Sequence, residues 1–117
     1  MQTTISILGS TGSIGITTLK IIDKNKKELK PYLFSANKNL KLICDQIDKY
    51  KPKVFVISEK KIFEKVKKKY KKKSIKIINN LKSLNLNKKS EITISAIPGI
   101  AGLDPTLQML RFSKKLL

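Results

Sequence analysis

The 117-residue chain has no histidine and no tryptophan, a single cysteine, and one arginine beside 25 lysines. Each scarcity excludes something. Without histidine, the commonest general base and the usual nitrogen ligand of transition metals are missing. With Cys44 alone, neither an internal disulfide nor a cysteine-built metal cluster can form. Aromatic residues make up 6% of the chain and Arg111 is its only guanidinium, so stacking platforms for bases and forks for base edges are scarce. No run of about 18 apolar residues occurs, which excludes a spanning helix. The N-terminus passes straight into Thr4-Ile5-Ser6-Ile7-Leu8-Gly9. That is the start of a strand, without the basic segment, apolar stretch and small-residue cleavage site of a signal peptide. The compartment that fits is the cytoplasm.

What the chain has in excess is positive charge. Eight carboxylates leave a formal net charge of +18, and a basic balance of this size invites a nucleic-acid reading. The charge is nearly all lysine, however, in a sequence also rich in Ile and Asn, three residues encoded by AT-rich codons. A solvated lysine surface is the plainer account, with no specific nucleic-acid or membrane partner expected. Non-specific attraction to polyanions would follow from the charge in either case. A hydrophobic fraction of 40% is ordinary for a globular fold, and the length suits one domain over residues 1–117.

Short apolar runs alternate with helical spacing along the chain. Strands are expected at residues 5–9, 31–35, 54–58, 75–78 and 92–97, with Pro31 at the first position of the second, where a missing N–H is tolerated. Helices are expected at 13–24, with Ile14, Thr18, Ile21 and Ile22 as its stripe, at 40–50, with Leu40, Ile43, Ile47 and Tyr50 on one face, and at 60–73, around Ile62, Phe63, Val66 and Tyr70. A last helix is expected near 105–112. This alternation means βαβ units, hence an α/β fold with a doubly wound, mainly parallel, Rossmann-like sheet covered on both faces.

Between the first strand and first helix lies Gly9-Ser10-Thr11-Gly12-Ser13-Ile14-Gly15, a G-x-x-G-x-x-G variant of the dinucleotide fingerprint. Gly9 permits a tight turn, Gly12 admits a pyrophosphate to the backbone, and Gly15 lets the helix lie close on the strand. The N–H groups at the helix start then face the phosphates, with hydroxyls from Thr11 and Ser13 beside them. As a bare pattern three glycines are weak; after an N-terminal strand and before a helix they are specific. An NAD-selective fold would carry an acid about 20 residues on, to hold the ribose 2′-hydroxyl. Here the region reads Ser35-Ala36-Asn37-Lys38-Asn39. No carboxylate is present, and Ser35, Lys38 and Asn39 would welcome a 2′-phosphate. The expected cofactor is NADPH.

Three segments together resemble one family, 1-deoxy-D-xylulose 5-phosphate reductoisomerase, which works on the methylerythritol phosphate route to isoprenoids. They are residues 5–15 with Thr18 and Leu19 behind them, Ala36-Asn37-Lys38-Asn39 against the family's Ala-Gly-Lys-Asn, and Ser95 to Leu107, close to the family's Ala-Ile-x-Gly-x-Ala-Gly-Leu-x-Pro-Thr-Leu. The last segment is the specific one. The resemblance implies that Thr11, Gly12, Ser13 and Ile14 contact the cofactor and that Lys38 and Asn39 lie near its adenosine phosphate. It implies an NADPH-dependent oxidoreductase and isomerase, a phosphosugar substrate, a divalent metal (Mg, Mn or Co) and a homodimer. Two residues depart from the pattern. Asn37 stands for a glycine, where tolerance of positive φ would preserve the turn, and Pro98 stands for a small apolar residue.

After Leu117 the family continues into Leu-Ala-Asn-Lys-Glu, then acidic metal ligands and the substrate-phosphate site. The chain is therefore expected to hold the cofactor's seat without catalytic residues or metal ligands, and to bind NADPH without turnover. Its C-terminal sheet edge is expected to lack the strand that should follow Lys115. A stand-alone NADP-binding module and a basic polyanion-binding protein remain as alternatives.

Overall fold

The computed structural model describes residues 3–81, 90–96 and 113–117. In chain order these form β1 (Thr3–Leu8), α1 (Ser13–Lys24), β2 (Leu29–Ala36), α2 (Leu40–Tyr50), β3 (Val54–Ile57), α3 (Lys60–Lys69), β4 (Lys76–Ile78), β5 (Ser90–Ser95) and β6 (Ser113–Leu116). The strands make one sheet in the order β4-β3-β2-β1-β5-β6, and every adjacent pair is parallel. From β1 the chain winds outward to β4, then returns to β1's other side as β5 and moves outward again. That reversal is what makes the sheet doubly wound, and it places the topological switch point between β1 and β5.

Parallel strands need buried apolar residues, and the short runs supply them: Val54–Ile57 is buried throughout, as is β1 from Thr4 to Leu8. One face of the sheet packs Ile7, Phe34, Phe55 and Ile57 against Leu19 and Ile22 of α1, Ile43 and Ile47 of α2 and Val66 of α3. Phe34 sits at the centre, meeting Phe55 and Tyr50 edge-on with ring centroids 5.9 and 6.0 Å away. Such pairs contribute about 0.5–1.5 kcal/mol each beyond their buried area. The opposite face gathers Leu8, Leu33, Val56 and Leu81 into a second cluster.

Several expectations need correction. The sheet edge expected to be missing is present as β6, which pairs with β5 and joins Thr93 and Ser113 through their hydroxyls; two lysines in a four-residue run hid it. Pro31 is the third residue of β2, not its first. The ladder with β1 shifts register there, Ile5 opposing Pro31 and Ser6 opposing Leu33. A residue without an N–H interrupts a ladder, and the irregularity absorbs it. The buried side of α1 is Gly15, Thr18, Leu19 and Ile22, whereas Ile14 and Ile21 are 60% and 53% exposed. Helix α3 stops at Lys69, with Tyr70 as its C-cap. The helix expected near residues 105–112 and the Pro98 turn lie outside the described residues.

α1 and α2 are also joined at their far ends. Asp23 accepts hydrogen bonds from Lys49 Nζ at 3.1 Å and Tyr50 Oη at 3.0 Å. Burial on its own would raise the Asp23 pKa. The bonds from Lys49 and Tyr50 and the lysine charge outweigh it, so the carboxyl is held below its ordinary 3.8. A folded pKa below the unfolded one means the tie stabilises fully above the unfolded value and is lost as pH falls through the folded one. Asp23→Asn is therefore expected to lower Tm by roughly 2 °C at pH 7, with the gap closing below about pH 4. Thermal melts of both proteins from pH 7 to pH 3 check this; a gap independent of pH would remove the charge from the account.

Candidate dinucleotide-binding site

β1 ends at Leu8 and the chain must turn at once to start α1 over the sheet. Gly9 takes φ 84°, a left-handed value that costs an L-residue about 1–2 kcal/mol. The turn is then fastened from β2. The Gly9 N–H donates to the Ser35 carbonyl at 2.9 Å and to Ser35 Oγ at 3.1 Å, and the Ser10 N–H donates to the same carbonyl at 2.8 Å. Ser35, expected beside a 2′-phosphate, is instead a buried anchor of the glycine turn.

The three glycines do different work. A Cβ on Gly15 would run into the Gly9 carbonyl oxygen and lie 2.7 and 2.9 Å from Ser10 Cα and C, all backbone that cannot swing aside. Gly15 is what lets α1 approach β1. At Gly12 the backbone is ordinary (φ −81°, ψ 174°), and among the described residues a Cβ would meet only the Gly9 and Ala96 carbonyl oxygens at 3.6 and 3.9 Å. Neither conformation nor packing among the described residues demands glycine there. Glycine there leaves open space against the backbone. Ala96 follows β5, so Gly12 lies between the ends of β1 and β5, at the switch point, where open α/β sheets take their ligands.

Helix α1 also differs from its neighbours at its N-terminus. α2 is capped by Asn39, which accepts from the Leu42 N–H, and α3 by Glu59, which accepts from the Lys61 N–H. α1, starting after Gly12, has no side-chain cap, and Gly12, Ser13 and Ile14 are exposed beside it. Uncapped N–H groups and the positive end of the helix dipole make an anion seat. Four of the expected site residues, Thr11, Gly12, Ser13 and Ile14, thus share one turn, and the exposed Ile14 supplies an apolar surface at its lip.

Lys38 and Asn39 stand at the end of β2, on the same edge of the sheet as the glycine turn, and both are exposed. Asn39 spends its Oδ1 on the α2 cap, accepting from the Leu42 N–H at 3.2 Å. Asn37 does not adopt positive φ; the one non-glycine residue described with positive φ is Lys51, the C-cap of α2. The loss of glycine at 37 is accommodated differently: Asn37 Oδ1 accepts from Ser58 Oγ at 2.8 Å and its carbonyl from the Glu59 N–H at 3.2 Å. The loop carrying Lys38 is thereby bolted to the end of β3. No carboxylate occurs between Leu29 and Leu40.

Sequence reasoning missed Gln46. It reads as part of the polar side of α2, yet it is 5% exposed, and its Nε2 donates to the Ser10 carbonyl at 2.9 Å. Among the described residues no three His, Cys, Asp or Glu side chains gather as a metal site, so the divalent cation implied by resemblance finds no fitting donor set in them. Nor is any described helix long and apolar enough to cross a membrane.

A doubly wound parallel sheet with a glycine-rich turn and an uncapped helix at its switch point defines the class, a dinucleotide-binding fold. Within that class the match is specific: over residues 5–117 the chain fits the family described as 1-deoxy-D-xylulose 5-phosphate reductoisomerase, and it belongs to that family. It is 39% identical over 118 residues to the reductoisomerase of Buchnera aphidicola subsp. Schizaphis graminum, covering 97% of this chain and 30% of that protein. To the Pelagibacter ubique reductoisomerase it is 38% identical over 114 residues, covering 94% and 29%. The Zymomonas mobilis reductoisomerase, solved in complex with NADPH, superposes with a TM-score of 0.85 at 27% identity, covering 99% of this chain and 31% of that one. A reductoisomerase solved with magnesium shares the fold at a TM-score of 0.84 and 22% identity, over 100% of this chain and 30% of that one. The chain thus spans about three-tenths of the length of the relatives it matches.

Proposed function

We propose that this chain binds NADPH and is the cofactor-binding portion of an enzyme that rearranges and reduces 1-deoxy-D-xylulose 5-phosphate to 2-C-methyl-D-erythritol 4-phosphate. The observation that carries the reading is Gly12: a glycine that nothing among the described residues requires, at the switch point, beside a helix start with no cap of its own. Thr11, Gly12, Ser13 and Ile14 receive the pyrophosphate and the adjoining part of the dinucleotide. Lys38 and the Asn39 amide receive the 2′-phosphate, a role supported by their exposure on the same sheet edge and by the missing acid after β2. NADPH supplies the hydride; the residues here seat and orient its donor. The phosphosugar substrate, a divalent metal held outside the described residues, the homodimer and the cytoplasmic setting enter this reading through family membership alone.

Titration with both reduced nicotinamide cofactors tests it. NADPH is expected to bind at least about tenfold more tightly than NADH, since the 2′-phosphate adds a charge-assisted contact. Lys38→Ala should remove most of that preference by weakening NADPH and leaving NADH unchanged. Equal affinities in the parent protein would overturn the assignment of Lys38.

A further inference from the structure

Gln46 presents an arrangement that stability does not explain. Its side chain is buried, and its Nε2 donates to the Ser10 carbonyl 36 residues away in sequence. Its Oε1 is buried too and has no hydrogen-bond partner among the described residues. An orphaned amide oxygen in a protein interior is unfavourable. An apolar side chain of similar size would fill the same space without it. What a hydrocarbon could not do is hold Ser10.

Ser10 is wholly buried and gripped from two elements. β2 takes its N–H through the Ser35 carbonyl, which also lies 3.4 Å from Ser10 Oγ, and α2 takes its carbonyl through Gln46. The peptide that follows joins Ser10 to Thr11, and it is trans. In a planar trans peptide the C=O and the N–H point in opposite directions. A Ser10 carbonyl drawn inward to Gln46 therefore sends the Thr11 N–H outward, to the side where Gly12 and Ser13 are exposed. We propose that Gln46 is a positioning residue for cofactor binding: by holding the Ser10 carbonyl it aims the Thr11 N–H at the dinucleotide pyrophosphate. The inference rests on the NADPH reading given above and deepens it. Without Gln46 the peptide loses a restraint and can rotate its carbonyl, an acceptor, toward the phosphates.

The test uses Gln46→Met, which keeps length and loses the donor, and Gln46→Leu as a second apolar replacement. NADPH affinity is expected to fall about tenfold in both, while Tm changes little, because losing the orphaned oxygen offsets the bond withdrawn from the Ser10 carbonyl. Adenosine 2′-monophosphate, which has no pyrophosphate, should bind the variants and the parent alike, yet bind Lys38→Ala more weakly. A purely structural Gln46 would lower Tm and leave the affinity of folded protein intact, and that result overturns the proposal. So does an equal loss for both ligands. A parent protein that fails to bind NADPH would remove the functional reading itself, whereas a parent that binds and a Gln46→Met variant that binds equally well removes only the role of Gln46. Should both variants fail to fold, the parent's amide spectrum decides: the Thr11 N–H signal must move on NADPH addition, and an unmoved signal refutes the arrangement.

Discussion

Gly15→Ala is expected to leave the protein unfolded. The added methyl would collide with the Gly9 carbonyl and sit 2.7 Å from Ser10 Cα, and all these atoms belong to a turn fixed by bonds from β2 and α2. Relief would require α1 to move off β1, opening the core where Leu19 and Ile22 pack on the sheet. Overpacking usually costs about 1–3 kcal/mol, but that figure assumes neighbours able to shift. Against immobile backbone the loss should exceed about 4 kcal/mol, a large part of the 5–15 kcal/mol that typically separates folded from unfolded domains. Circular-dichroism melts and soluble yield measure it. A variant melting within a few degrees of the parent would show that α1 can slide, and that the close approach is not essential.

The second large effect runs the other way between stability and binding. Gly12→Asp places a carboxylate at the N-cap of α1, a position where Asp is among the preferred residues, on a backbone that any L-residue can adopt. Tm is expected to hold or rise slightly as the uncapped N–H groups gain an acceptor. NADPH affinity should fall by more than about 100-fold, since the side chain occupies the phosphate seat and repels what belongs there. Calorimetric titration beside a thermal melt separates the two quantities. Retained affinity would place the pyrophosphate somewhere other than this helix start.

The contrast between these glycines shows how far the sequence could be read. Spacing located all three, and with them β1 and α1, because glycine between a strand and a helix is strong local punctuation. Which face of α1 is buried was not legible. Ile14, Thr18, Ile21 and Ile22 make a good stripe on paper, but Gly15 sets the rotation of the helix, and a glycine adds nothing to an apolar pattern. Lys38 and Asn39 were legible as candidates, because an absent acid and a present base would both favour a 2′-phosphate, and the structure shows both exposed at the end of β2. The roles of Ser35 and Gln46 were not legible. Their roles lie in hydrogen bonds to backbone 25 or more residues away, and a polar residue on a helix or at a strand end looks the same whether it faces water or the underside of a turn. β6 was hidden for a related reason: parallel pairing with β5 decides it, and Ser-Lys-Lys-Leu announces no strand.

The two buried braces also bear on protein engineering. Gly9 to Gly15 looks like a cassette that could be transplanted into any scaffold having a strand and a helix in the right places. The recipient would receive the glycines and none of the scaffolding: neither the Ser35 carbonyl beneath the turn nor the amide reaching up from the second helix. Such a graft should yield a loop of the right composition that samples many shapes, and a host made to bind nucleotide would need its own donor and acceptor installed on two neighbouring elements first.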